Sequence, residues 1–188
     1  ILNNYYEAFE KMFQSRIQWC YSTENDPAKG DLWNNEDFSV VGPDRKLRAE
    51  RAWARPYARA LAGKPHKTHF HSDYHYFDPN KGEVVPRREF YVSYGSKETR
   101  APTEIVVPRL QYPEGFYVWV SDGHCHFDAE RSVLYHFPAR DEPGAEHWVR
   151  LRPPLPGADN SGFAYFFDGD KMVRGSGAEA VGQPPLGS

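Results

Sequence analysis

The chain has 188 residues, a net charge of -3, and 12 Tyr, 12 Phe and 5 Trp. That length suits one domain or one domain plus part of another, and the near-neutral charge gives no case for a general nucleic-acid partner. No apolar run approaches the ~20 residues of a membrane span. No signal peptide is visible, but a chain that begins at Ile1 without Met leaves its compartment open, secreted or cytoplasmic.

The spacing of Leu2, Tyr5, Tyr6, Phe9, Met12 and Phe13 predicts an amphipathic helix over residues 2 to 13, with Glu7, Glu10 and Lys11 facing away. Ile17 to Tyr21 reads as a short buried strand that opens into a polar loop. The loop carries Glu24, Asp26, Asp31, Glu36 and Asp37 against Lys29. Residues 45 to 62 read as a second helix, with a stripe of Leu47, Ala49, Ala52, Trp53, Tyr57, Ala60 and Leu61, interrupted at Pro56 and capped by Gly63. Helix, strand, loop and helix make one αβα step of a parallel α/β fold.

The character changes after Lys64-Pro65. Strand candidates are Thr68 to Phe77, Arg88 to Tyr94, Glu104 to Pro108, Phe116 to Ser121, Ser132 to Phe137 and His147 to Leu151. Pro, Gly, Asn and Asp punctuate them, which predicts an antiparallel β-sandwich. Phe116, Val118 and Val120 would share one face, and Tyr117 and Trp119 the other. The domains therefore run from 1 to 63, from 64 to 153, and as a Pro/Gly-rich tail from 154 to 188. The tail's middle, Phe163 to Phe167, is expected to dock as one strand, with weak order beyond about Gly175.

The polar loop carries the main chemical signal. Trp19 has a plain reading as a core residue, but it also stands at the C-terminal end of a strand, where (β/α)8 barrels keep their active sites. Trp33, Asn34, Glu36 and Glu24 follow it. An indole stacks against sugar C–H groups, and amides and carboxylates bond hydroxyls, so the set suits carbohydrate. Asp37 and Phe38 read as structural. Glu24 and Glu36 fit a catalytic acid pair poorly, because neither has a rigid strand-end perch. In the cluster of His66, His69, His71 and His75, the last three share one strand face with Asp73 and could form a zinc site, but an exposed sandwich face is the plainer account, with Phe70, Tyr74 and Tyr76 turned inward. His124-Cys125-His126 reads as hairpin surface. The run Arg45, Lys46, Arg48, Arg51, Arg55, Arg59, Lys64 and Lys67 reads as the solvated face of an outer helix. Cys20 and Cys125 allow one disulfide, but two free buried thiols are the plainer reading.

The pattern W-C-Y…GDLWNNEDFSV, then RPYARALAGKP, then APTEIVVPRLQYPEGFYVWVSDG resembles the C-terminal part of endoglycoceramidase-type enzymes of glycoside hydrolase family 5, over about Asn3 to Arg152. The resemblance implies the last αβα segment of a (β/α)8 barrel, completed by another chain or segment of the same enzyme, followed by a sandwich. It implies a retaining β-glycosidase acting on glycolipids such as glucosylceramide or steryl glucoside. Both catalytic glutamates would lie upstream of Ile1, with no catalytic residue in this chain and no cofactor or metal. Trp19 would stack under the sugar beside the cleaved bond, and Trp33, Asn34, Glu36 and Glu24 would bind substrate. Contact with a membrane surface or micelle would follow from such a substrate. The competing reading is a non-catalytic module that binds carbohydrate or a lipid surface.

Overall fold

The computed structural model describes residues 2–26, 28–30, 35–72, 77–78, 83–84, 88–97, 99–140 and 142–180. Helix α1 (Leu2–Lys11) opens the chain, and a single turn, α2 (Glu50–Trp53), follows a long irregular segment. Twelve strands come next. They are β1 (Tyr57–Ala60), β2 (Gly63–His71), β3 (Phe77–Asp78), β4 (Glu83–Val84), β5 (Glu89–Lys97) and β6 (Thr103–Val106), then β7 (Phe116–Val120), β8 (His124–Asp128), β9 (Val133–Phe137), β10 (His147–Arg152), β11 (Tyr165–Asp168) and β12 (Lys171–Arg174). A short helix, α3 (Ser176–Ala180), closes the described chain.

The strands form a four-stranded sheet in the order β1-β6-β9-β8 and a six-stranded sheet in the order β12-β11-β7-β10-β5-β2, with β3 and β4 paired apart. All pairings are antiparallel. Alternation explains the packing: a strand buried on one face points every second side chain inward. In β10, His147, Val149 and Leu151 are buried, while Trp148, Arg150 and Arg152 are half-buried on the outer face. Phe70, Val92, Val118 and Leu151 of the larger sheet meet Ile105 and Leu134 of the smaller one in a single apolar core. Each such fully buried large aliphatic or aromatic side chain contributes about 1.5–3 kcal/mol relative to exposure.

Several expectations need correction. Residues 45 to 62 are not a helix: four of them turn as α2, and Tyr57–Ala60 is a strand paired with β6. The sandwich's first strand thus precedes residue 64. Val41 bridges Leu47 instead, so the spacing of Leu47, Ala49 and Ala52 marks turns. Ile17 to Tyr21 forms no strand and joins no sheet among the described residues. His124-Cys125-His126 lies in β8, with Cys125 buried. Cys20 is only half-buried, and both cysteines are thiols. The tail adds two strands, β11 and β12, where one was expected, and residues 176 to 180 form α3.

Helix α1 also turns a different face inward. Asn3, Tyr6 and Glu10 are buried, whereas Tyr5 and Met12 are about 60% exposed. The reason lies 45 residues away in sequence. Arg55, which is 2% exposed, donates through Nε to Glu10 Oε1 (2.5 Å) and through Nη2 to Glu10 Oε2 (2.8 Å). It also donates to Asn3 Oδ1 (3.1 Å) and to the Phe70 carbonyl (3.0 Å), with its guanidinium 4.7 Å from the Phe70 ring centroid. Burial pushes the Glu10 carboxyl up, against the pull of Arg55. This clamp fixes α1 beside β2. Gln111 adds a second clamp, donating from Nε2 to the carbonyls of Arg51 and Ala54, each at 2.9 Å.

Candidate functional site

Ser39 organises the polar loop. Its buried hydroxyl accepts from the Ser22 amide (3.0 Å) and the Val41 amide (3.3 Å) and donates to the Ser22 carbonyl (2.8 Å). Asn25 Nδ2 donates to the carbonyls of Ser22 (2.8 Å) and Val41 (2.7 Å). The Val40 amide donates to the Cys20 carbonyl (2.9 Å), so residues 20 to 25 and 39 to 41 are tied side by side. Between them Asp26 turns the chain, its Oδ1 accepting from the Ala28 and Lys29 amides at 2.7 and 3.1 Å. Gly30 sits at φ +64, where a Cβ would stand 2.1 Å from the Glu36 carbonyl oxygen. This position therefore needs glycine, and the close approach brings Glu36 back beside Gly30. Asp37 pairs with Arg48, Oδ1 to Nη1 at 2.7 Å, which is a structural task.

On this frame Trp19 is 64% exposed, so it is not a core residue of the described chain. Ile17, Tyr21 and Phe38 are also exposed. Glu24 and Glu36 lie exposed on the same loop, and neither is bonded to Trp19 among the described residues. Trp33, Asn34 and Asp31 lie outside the described residues, as do Asp73, Tyr74, His75 and Tyr76. Phe38, read as structural in the sequence, is exposed, as is Tyr21, which the sequence placed at the end of a buried strand. Their only signal was proximity to Trp19 and Trp33. A cleft of about 550 Å³ opens between α1, the run 13–18, Trp53, β1 and β2. Tyr6, Arg16 and Phe90 line it, with Arg16 4.0 Å over the Tyr6 ring.

A buried polar network occupies one end of the sandwich. Asp122 Oδ2 bonds His147 Nδ1 (2.8 Å) and accepts from the Ser121 hydroxyl (2.8 Å) and from Arg140 Nε and Nη2 (3.2 Å each). Its Oδ1 accepts from the Ala139 and Arg140 amides at 2.7 and 3.2 Å. The Asp122 carbonyl lies 2.8 Å from His136 Nε2. A carbonyl can only accept, so that nitrogen carries the proton, and Nδ1 accepts from the Tyr94 hydroxyl at 2.8 Å. Burial would raise the Asp122 carboxyl, but hydrogen bonds from His147, Ala139, Ser121 and Arg140 outweigh it and hold it below the usual carboxylate range. Burial lowers His136 to about 4. Asp122, His136 and His147 are all buried, so the network locks the fold and meets no substrate. Sequence reading missed it. The available signal was a histidine at an inward position of two alternating strands.

The sandwich is of a kind found in glycoside hydrolases. The sequence model of the Glycoside hydrolase family 5 C-terminal domain matches residues 55–151, just over half of the 188-residue chain. The chain belongs to this family. No curated protein sequence matches it. Among solved structures, Cryptococcus neoformans sterylglucosidase 1 is similar at TM-score 0.65 and 18% identity, over 81% of this chain and 24% of that one. Endo-glycoceramidase II from Rhodococcus sp. is similar at TM-score 0.55 and 19% identity, over 82% of this chain and 29% of that one. The same Rhodococcus enzyme in complex with ganglioside GM3 gives TM-score 0.56 at 19% identity, over 82% of this chain and 28% of that one. The chain spans about a quarter of the length of these enzymes. Among the described residues no helix is long and apolar enough to cross a membrane.

Proposed function

We propose that the chain is the C-terminal portion of a retaining β-glycosidase that cleaves glycolipids, with a glucosylceramide, oligoglycosylceramide or steryl glucoside as substrate. A barrel segment or chain of the same enzyme carries both catalytic glutamates. They stand ~5–5.5 Å apart in such enzymes, one acting as nucleophile and one as acid/base. The observation that carries this reading is Trp19, 64% exposed on a run that joins no sheet among the described residues. Exposed Ile17, Trp19 and Tyr21 on such a run would suit a strand whose neighbours come from another segment. The outward Tyr5 of α1 and Met12 just after it add apolar surface that such neighbours would cover.

In this account Trp19 stacks against the sugar beside the cleaved bond. Glu24, Trp33, Asn34 and Glu36 contact its hydroxyls and ring from the loop that Ser39 and Asn25 hold in place. Stacking that strengthens as the ring flattens toward its oxocarbenium-like transition state would lower the barrier as well as bind substrate. A glycolipid substrate also brings the enzyme to a membrane surface or micelle.

The test is release of sugar from glucosylceramide and from a steryl glucoside, by this chain alone and by its assembly with the barrel segment. Release by the assembly and none by the chain alone is expected. Release by the chain alone, or a folded assembly inactive on both substrates, overturns the proposal.

A further inference from the structure

The outer face of the six-stranded sheet carries a band of flat rings and cations. Strand register sets His69, Tyr91, Arg150 and Trp119 opposite one another across β2, β5, β10 and β7. His69 stacks on Tyr91 with centroids 5.3 Å apart and planes 15° from parallel. Tyr91 stacks on Trp148 at 6.3 Å and 22°. Arg150 lies 4.3 Å over the Trp119 ring, and Lys67 Nζ is 6.0 Å from the Tyr91 ring. Trp119 itself is pinned below, donating from Nε1 to the Ser161 carbonyl at 3.1 Å. His69, Tyr91 and Trp148 lean on one another and stay half-buried, with Trp119 buried at the end of the band.

Arg150 is half-buried. Among the described residues no carboxylate pairs with it, and its Nε is buried without a hydrogen-bond partner. Lys67 is exposed and likewise pairs with no carboxylate among the described residues. Glu89 stands at one end of the band, opposite His71 on β2. Arg152, the residue after Leu151 on β10, is tied to the Asp159 carbonyl and to Asn160 Oδ1. Burial keeps His69 neutral, lowering it to about 4, so its ring acts as an aromatic surface. A partly desolvated cation beside stacked rings matches a ligand that has both a ring face and an anion. A bilayer is a poorer match, because it would reward projecting side chains.

We propose that this face binds an acidic saccharide, a sugar ring resting on Tyr91 and Trp148 while its carboxylate pairs with Arg150 and Lys67. The site lies outside the loop of Trp19 and stands whether or not the glycosidase reading holds, since no hydrolytic group takes part. The test is titration of the full chain with sialyllactose and with lactose, followed by the indole N–H signal of Trp148. Sialyllactose is expected to bind about tenfold more tightly than lactose and to weaken as salt rises.

Arg150→Gln should abolish most of the difference between the two sugars. Lys67→Gln should weaken sialyllactose about threefold, and Arg131→Gln on the β8–β9 turn should change nothing. If Arg150→Gln unfolds, the exposed Lys67 variant decides. Equal binding of the two sugars, no binding of either, or uptake by phosphatidylserine vesicles without sialyllactose binding each overturns the proposal.

Discussion

Replacing Arg55 with alanine should destabilise the fold more than any surface change in the chain. Arg55 makes two bonds to Glu10, one to Asn3 and one to the Phe70 carbonyl, all in a site where its side chain has no solvent exposure. The variant leaves a carboxylate, an amide oxygen and a main-chain carbonyl without their donor. Removing one partner of a buried pair costs about 3–5 kcal/mol, a large share of the ~5–15 kcal/mol that holds a typical domain. The isolated pair is not itself a large net gain, because burying two charges offsets most of their attraction. Arg55→Met combined with Glu10→Leu should therefore lose less than Arg55→Ala alone. Urea unfolding followed by tryptophan fluorescence measures both. A loss below about 1 kcal/mol for Arg55→Ala, or a double variant weaker than the single, would refute the clamp.

Acid should loosen the sandwich. His136 is near 4 in the fold and ordinarily near 6.5, so the unfolded chain binds the extra proton first; stability is full above about pH 6.5 and falls toward pH 4, by up to roughly 3 kcal/mol. Asp122, held below its usual range, adds a further loss as pH drops under about 4. Denaturation midpoints across that range should slope downward with acid, and His136→Gln should flatten the upper part. Gly123→Ala should cost more than about 2 kcal/mol, because φ is +73 and the new Cβ would stand 2.0 Å from the Phe137 carbonyl oxygen. Gln111→Ala should cost about 1–2 kcal/mol and speed amide exchange in the α2 turn, whose carbonyls at Arg51 and Ala54 lose their donor.

The sandwich was legible because alternation survives in single strands: His147 to Arg152 announces its inward and outward faces without help from its neighbours. The segment 45 to 62 was not. Tyr57-Ala58-Arg59-Ala60 alternates like a strand, but Trp53 and Tyr57 four apart imitate a helix, and only the pairing with β6 decides between them. The buried face of α1 was hidden for a similar reason. Glu10 and Asn3 look like solvent residues until Arg55 meets them from 45 and 52 positions away. The basic run misled in the same way, since Arg55 is a core cation, Arg48 pairs with Asp37 and Arg59 pairs with Glu104. At the loop, sequence marked Trp19, Glu24 and Glu36, while Ser39 and Asn25, which shape it, carry no distinctive pattern.

The central claim is that Trp19 serves a sugar site completed by a barrel segment. The direct measurement is kcat/KM of the full assembly on glucosylceramide with Trp19→Ala, beside its thermal midpoint. The account predicts a fall of about a hundredfold in an assembly that still folds. An unchanged kcat/KM in a folded assembly would contradict it.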